Sequence, residues 1–310
     1  MTVALFPEKK KKSILGIDIG SRTTKIAQLK FSGRGSPDLV FCEMLNTGLL
    51  DEGFQANMKV FFRNSGFAGS LAALSFDHDS LVMKKFEMPK MPKEELIEAL
   101  KWNLREYIDG DIETYTVQFS EIEKKESLDE IQREYMVYAV QRQAIQDFKH
   151  KIEQLNLSVI LIEPKEVTLA SALDRCCADP NHFLAGADIS HQTCKFYVVG
   201  RRNFVFHRNL PMVKYDDFSS SPEEYRTKLA IELQKSIDIF QVNFKMEPLQ
   251  GISLSGSGAV IENLCEYLQT NLGIQANLSN PFQTLNHVRS QGELRPELFV
   301  QAVSLAYIQP

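Results

Sequence analysis

Short apolar runs closed by glycine or hydroxyl-rich turns alternate along this chain with longer stretches of helical period. Ser13 to Ile19 reads Ser-Ile-Leu-Gly-Ile-Asp-Ile, which predicts a strand ending at Gly20. Lys25 to Phe31 predicts a second strand, with Ile26 and Leu29 as apolar anchors. The linking turn, Gly20-Ser21-Arg22-Thr23-Thr24, is small and hydroxyl-rich, so the pair predicts a β-hairpin whose turn exposes several backbone N–H groups. Farther on, Pro92 opens a helix in which Leu96, Leu100, Leu104 and Ile108 recur at i+4 spacing and make one apolar face. Thr114 to Ile122 and Glu134 to Val140 predict strands joined by the charged loop Glu123 to Glu130. A second amphipathic helix, Gln143 to Leu155, and a strand, Ser158 to Ile162, follow. This αββαβ order predicts a small subdomain inserted into a larger lobe. Ser219-Ser220-Ser221-Pro222-Glu223-Glu224 predicts a helix start, with a serine cap, proline in the first turn and acids on the N-terminal dipole. Leu229, Leu233, Ile237, Phe240 and Phe244 then trace one face of a long helix.

The opening pattern returns 170 positions later, where Gly16-Ile17-Asp18-Ile19-Gly20 becomes Gly186-Ala187-Asp188-Ile189-Ser190. Thr23 matches Thr193 and Lys25 matches Lys195. Both copies carry an aspartate at a strand end followed by a tight polar turn, so two related lobes facing one another would bring both turns to one cleft. A third element, Gly251 to Ala259, predicts a strand, a glycine-rich turn and then a helix over Val260 to Leu272 closed by Gly273. Glycines at such a junction let a ligand approach the backbone.

Composition narrows the classes. With 310 residues, 44% hydrophobic and 24% charged, the chain suits two lobes of a soluble protein. A net charge of -5 argues against a nucleic-acid groove. No apolar run has the roughly 20 residues needed to span a bilayer. No signal peptide is read at the N-terminus, so a cytoplasmic location is expected. Cys42, Cys176, Cys177, Cys194 and Cys265 show no metal spacing and read as reduced thiols. Lys9 to Lys12 reads as a solvated basic arm, with attraction to anionic lipid as the other reading.

These turns have the chemistry of a nucleotide site. Backbone amides and hydroxyls of Gly20, Ser21, Arg22 and Thr23, and of Ser190, His191, Gln192 and Thr193 facing them, suit phosphate oxygens. Asp18 and Asp188 suit Mg²⁺, through waters because magnesium dehydrates reluctantly. Lys25 can offset phosphate charge, and Gly256, Ser257, Gly258 and Ala259 can line an adenine and ribose pocket. Each residue also has a plainer reading. Asp18 can cap a turn, Lys25 and His191 can be surface residues, and Trp102 can be half-buried packing or an anchor for a partner.

The order of motifs, two aspartate turns and then a glycine-rich turn before a helix, resembles the actin, hexokinase and FtsA superfamily. Within it, Gly16 to Ser21 with Lys25, Leu254 to Ala259, Asn280-Pro281-Phe282 and Ala302 to Ala306 resemble the PilM-like type IV pilus assembly proteins. That resemblance implies an α/β, two-lobed actin-like ATPase fold of duplicated ribonuclease-H-like lobes. Its expected parts are a basic arm over 1–12, a first lobe over 13–82 and 161–182, an inserted subdomain over 83–160 and a second lobe over 183–310. It implies ATP and Mg²⁺ as ligands. It also implies a cytoplasmic scaffold at the inner face of the bacterial inner membrane, serving twitching motility. The implied partners are other pilus-platform components and the short cytosolic tail of a PilN-like inner-membrane protein. Ser190 and Ser257 stand where the family is glycine-rich, and Asp109-Gly110-Asp111 replaces an expected Pro-Phe stretch.

Two other functions share this fold. A kinase needs a carboxylate base beside its acceptor hydroxyl, for which Glu163, before Pro164, is the candidate; the same residue can instead orient water or magnesium. An FtsA-like filament protein is expected to carry an amphipathic C-terminal helix, which Tyr307-Ile308-Gln309-Pro310 does not resemble. The expectation is therefore binding with little or no ATP turnover. Trp102 and Arg105 lie off the leucine stripe and are the expected anchors of a peptide groove between the subdomain and the first lobe.

Overall fold

The computed structural model describes residues 14–32, 35–122, 132–177, 179, 182–200, 203–218, 221–244, 247–288 and 294–308. The Lys9–Lys12 arm, the loop 123–130, Ser219 and Ser220 of the helix start, and Gln309–Pro310 lie outside them.

The predicted hairpin forms from β1 (Ile14–Ile19) and β2 (Thr24–Lys30), which pair antiparallel. β3 (Asp38–Leu45), α1 (Phe54–Asn64) and β4 (Leu71–Phe76) follow. β5 (Val82–Pro89), α2 (Lys93–Leu104), β6 (Tyr115–Ile122) and β7 (Gln132–Gln141) come next. Then come α3 (Arg142–Glu153), β8 (Ser158–Pro164) and α4 (Lys165–Cys176). The second half contains β9 (Phe183–Ile189), β10 (Cys194–Gly200), β11 (Asn203–Asn209) and α5 (Pro222–Asn243). It ends with β12 (Leu249–Ser255), α6 (Leu264–Leu272), β13 (Gln275–Leu278) and α7 (Val300–Ala306).

The first sheet runs β3-β2-β1-β4-β8 and the second β11-β10-β9-β12-β13. The order is the same in both, an antiparallel meander extended by two parallel strands. The duplication read from a short echo thus extends through the sheets. The register also repeats, with Asp18 opposite Lys25 and Asp188 opposite Lys195. β1 is buried along its whole length because it is central to a sheet covered on both faces, which is why its sequence is a nearly unbroken apolar run.

One face of the first sheet packs Leu15, Ile17 and Leu74 against Met58 and Phe62 of α1 and Phe148 and Ile152 of α3. The second sheet packs against Leu229, Leu233 and Phe240 of α5 and Leu264 and Leu268 of α6. The remaining faces are covered crosswise. α4 leaves the first sheet, yet its Leu169, Ala172 and Leu173 lie on Tyr197 and Val199 of β10. α7 leaves the second lobe, yet its Ala302, Val303 and Ala306 lie on Ala27 and Leu29 of β2. The two helices also touch, and Ser304 Oγ donates to the Thr168 carbonyl at 2.9 Å. Gly16 makes this crossing possible. A Cβ there would sit 2.0 Å from the Ala302 carbonyl oxygen and 2.5 Å from the Ala306 nitrogen.

The third sheet runs β5-β7-β6. Period-two alternation along β7 sends Tyr135, Val137 and Ala139 toward Leu96, Leu100 and Leu104 of α2. The intervening Met136, with Ile122 of β6, enters the core of the second lobe. His207 Nε2, on β11, lies 3.2 Å from the Met83 carbonyl of β5. Two expectations change here. The three-stranded unit closes at Gln141, since α3 packs in the first-lobe core and β8 pairs in the first sheet, so it is shorter than 83–160. Its free sheet face also packs on the second lobe, where a groove against the first lobe was expected. The helix predicted through Ile108 ends at Leu104, and the one predicted from Val260 starts at Leu264 after a 3-10 turn over Ser257–Val260.

Gly16→Ala should lower stability by about 1–3 kcal/mol through overpacking against backbone that has no rotamer to change. Gly35→Ala, where the nearest atom to a Cβ is 3.9 Å away, should stay within about 0.5 kcal/mol of wild type. Urea melts of both variants check this, and equal losses would contradict the tight crossing.

Candidate functional site

Both aspartate turns fold alike. The Gly20 N–H donates to the Thr23 carbonyl at 2.9 Å, and the Ser190 N–H donates to the Thr193 carbonyl at 2.8 Å. Each turn is then held by a second loop. Leu49 and Leu50 donate their amides to the Gly20 and Ser21 carbonyls at 3.0 and 3.1 Å. Tyr215 and Asp216 donate theirs to Ser190 and His191 at 3.4 and 3.1 Å. The amides of Gly20 and Ser190 are thus used inside the turns, and donors for an anion must come from the residues after them.

Between the turns is a cavity of about 620 Å³, within the size range of small-molecule sites. It brings together Asp18, Gly20, Ser21, Thr23 and Lys25 from the first lobe with Ser190, His191, Gln192, Thr193 and Ser257 from the second. Leu49, Leu50, Asp77, His78, Asp147 and Lys151 extend its first-lobe wall.

Other predicted residues stand elsewhere. Arg22 is at the rim, where its guanidinium donates to Asp216 Oδ2 at 2.9 Å. Asp216 also meets His191 Nδ1 at 2.8 Å and accepts from Gln192 Nε2 at 2.7 Å. Burial disfavours its charge, but His191, Arg22 and Gln192 outweigh that and hold its carboxyl below the ordinary aspartate range. Asp216 therefore clamps one turn to the other across the cleft. Gly256, at φ 86°, and Gly258 pack against Ile189, where a Cβ on either would strike that residue at 2.5 or 2.2 Å. Together with buried Ala259 they seat the loop on the end of β9, and of this loop only Ser257 reaches the cavity. Glu163 is not a cavity residue. Its Oε2 accepts from Thr168 Oγ1 at 2.7 Å, and burial pushes its carboxyl above the usual range against that bond. Trp102 and Arg105 are in the third-sheet unit, with the guanidinium 4.7 Å from the indole ring.

The sequence reading missed the strongest electrostatic partner in the cleft. Lys165, the first residue of α4, sits 2.9 Å from Asp188 Oδ2 and donates to Ser190 Oγ at 3.0 Å. Burial works against its charge, but Asp188, Asp18 and Asp77 outweigh burial and raise its pKa. Burial likewise opposes ionisation of Asp188, yet Lys165, Ser190 and Ser255 hold its pKa below the ordinary value. Lys195 is buried too and bridges Glu166 and, at 2.9 Å, Asp77 at the end of β4. Its pKa is raised, because Glu166 and Asp77 outweigh the desolvation. Each aspartate also has a serine on the neighbouring parallel strand. Ser75 Oγ donates to Asp18 at 3.3 Å and Ser255 Oγ to Asp188 at 2.9 Å.

These contacts decide whether Mg²⁺ suits the predicted carboxylates. Asp188 Oδ2 accepts from Lys165 and Ser190, and Oδ1 accepts from Ser255. Asp18 Oδ2 faces Lys25 at 3.7 Å. Among the described residues no three acidic, histidine or cysteine side chains gather into a metal-binding group. The expected metal role of Asp188 does not fit, because its oxygens already hold an ammonium and hydroxyls of the chain itself.

No family model matches the chain, and no curated protein matches it. Among solved structures, it is similar to a chain of a PilM-PilN type IV pilus biogenesis complex. The TM-score is 0.79, with 19% identity, 96% of this chain covered and 98% of that one. It is also similar to the cytoplasmic domain of EpsL, an inner membrane component of the type II secretion system of Vibrio cholerae. There the TM-score is 0.50, with 13% identity and coverage of 94% and 92%. The shared property is the fold, which is the two-lobed, mixed α/β actin-like one.

Asp216→Ala should open the clamp. Hydrogen exchange at 20–23 and 190–193 should quicken by about tenfold or more, since local opening sets exchange there. Because the carboxyl is depressed, wild type should keep the clamp above about pH 4 and lose it as pH falls through the lowered value. Unchanged exchange in the variant would contradict the clamp.

Proposed function

We propose that this chain is a nucleotide-binding assembly scaffold of the type IV pilus machinery. It works at the cytoplasmic face of the inner membrane and recruits the N-terminal cytosolic tail of a PilN-like membrane protein. The observation that carries this reading is the fold likeness to a chain of the PilM-PilN complex, which runs through 96% of this chain and 98% of that one. The inserted third-sheet unit is included in that span. The likeness to the EpsL cytoplasmic domain, part of an inner membrane component of a secretion system, supports the same setting.

The cleft supports the nucleotide half of the proposal. Its repeated turns, Lys25 and Lys165 converge on one cavity, with hydroxyls from Ser21, Thr23 and Thr193 available around an anion. Binding, with little or no hydrolysis, is the expected activity. Glu163 has no place in the cavity, and Asp77 there is held by Lys195. No helix among the described residues is long and apolar enough to cross a membrane. On this reading, attachment runs through the partner.

The third-sheet unit supports the partner half. α2 buries its leucines inward and leaves Trp102 69% exposed with Arg105 stacked on it. Tryptophan and arginine are the commonest anchors of binding surfaces. β5 and β6 are the edge strands of this sheet, the kind of edge to which an extended tail adds. Trp102 lies outside the buried clusters of the described residues, so its truncation should leave the folded core untouched.

Trp102 is the sole tryptophan, which makes its fluorescence a direct reporter. A synthetic peptide with the sequence of the N-terminal cytosolic tail of a PilN-like membrane protein should shift the emission to the blue on binding. Trp102→Ala, followed by calorimetry, should weaken the peptide by about tenfold or more. Its melting temperature should stay near that of wild type, because an exposed site contributes within about 0.5 kcal/mol. Undiminished affinity would reject Trp102 as the anchor. Failure of the wild-type protein to bind the tail would reject the scaffold reading.

A further inference from the structure

The two strand-end aspartates differ in the lysine that meets them. Asp18 has its cross-strand lysine, Lys25, at 3.7 Å. Asp188 has Lys195 opposite it in register, but Lys195 turns to Glu166 and Asp77 instead. The ammonium on Asp188 comes from Lys165, which has no counterpart in the duplicated pattern. Proline at 164 ends β8 and α4 starts at once, so the side chain of the first helical residue enters the cavity. That side chain is only 10% exposed, and Asp188 is 3% exposed.

An ammonium has three N–H donors. Asp188 Oδ2 and Ser190 Oγ take two of them, at 2.9 and 3.0 Å. The third remains for whatever fills the cavity that Lys165 lines. A divalent cation at Asp188 would have to enter beside a buried positive charge, or expel it from the carboxylate it pairs with. Both routes are unfavourable in a site of low dielectric.

We propose that Lys165 stands in for the divalent cation of the cleft. The site then takes a nucleoside polyphosphate as the metal-free anion, with its phosphate oxygens meeting the Lys165 ammonium, Lys25 and the donors of the two turns. This rests on the nucleotide-binding reading above and deepens it. Free magnesium competes with the protein for the same phosphate oxygens, so the metal weakens binding or leaves it unchanged.

The test is calorimetry of ATP with the full chain, in excess EDTA and in excess MgCl₂. The expected result is a Kd in EDTA that is equal to that in MgCl₂ within about threefold, or tighter. Binding tighter in MgCl₂ by more than about threefold overturns the substitution of lysine for metal and leaves the nucleotide reading standing. Binding in neither medium overturns the nucleotide reading and this proposal with it. Lys165→Gln should weaken ATP in EDTA by about tenfold or more and become magnesium-responsive. Equal affinity of a folded Lys165→Gln protein and wild type in EDTA overturns the proposal. If that variant does not fold, Lys165→Gln combined with Asp188→Asn removes both charges and keeps the hydrogen-bonding atoms, and the wild-type comparison decides in any case.

Discussion

A carboxylate buried at the end of a central strand has to be compensated, and this molecule contains that problem twice. Asp18 and Asp188 are both almost fully removed from solvent. Leaving either one unpaired would cost about 3–5 kcal/mol, a large share of the stability of a domain. The compensation determines what stands around them. Serines from the neighbouring strands, Ser75 and Ser255, come from within each lobe. For Asp188 the ammonium comes from Lys165, on the helix that leaves the first lobe. Lys195 of the second lobe makes the reciprocal contact with Asp77 of the first. At Asp188 and Asp77 the charges that satisfy the strand ends therefore also tie one lobe to the other. Of these charged groups, Asp18, Lys165 and Asp77 line the cavity.

This arrangement rests on the crossed helices. α4 and α7 each cover the sheet of the opposite lobe, so the cleft lies between bodies joined by two apolar clusters. The third-sheet unit adds a further link, because Met136 and Ile122 enter the second-lobe core while α3 continues its chain into the first-lobe core.

The duplicated hairpins and the inserted α/β unit were legible in the sequence because they follow strong local rules. A short apolar run marked β1 and alternation marked β2, i+4 leucines marked α2, and the Gly-x-Asp echo located both turns. The boundary of the inserted unit was less legible. α3 and β8 have the same local pattern wherever they pack, and only the parallel register with β4 assigns them to the first lobe. Lys165 was missed for a similar reason. A lysine after proline at a helix start reads as a surface residue, and its burial depends on a partner 23 positions away. Asp77 carried a usable signal, an acid at a strand end before the polar turn His78-Asp79-Ser80, the very feature that identified Asp18. The glycines of the 256–258 turn were read as space for a ligand, and the structure uses them to seat the loop on Ile189.

The central claim is that the phosphate cleft carries its own cation. Crystals of the full chain grown with a non-hydrolysable ATP analogue and Mn²⁺, measured at a wavelength with manganese anomalous signal, test it most directly. The account predicts phosphates between 20–23 and 190–193, Lys165 still bonded to Asp188, and no manganese peak in contact with Asp188. A manganese ion on Asp188 with the Lys165 side chain displaced would contradict it.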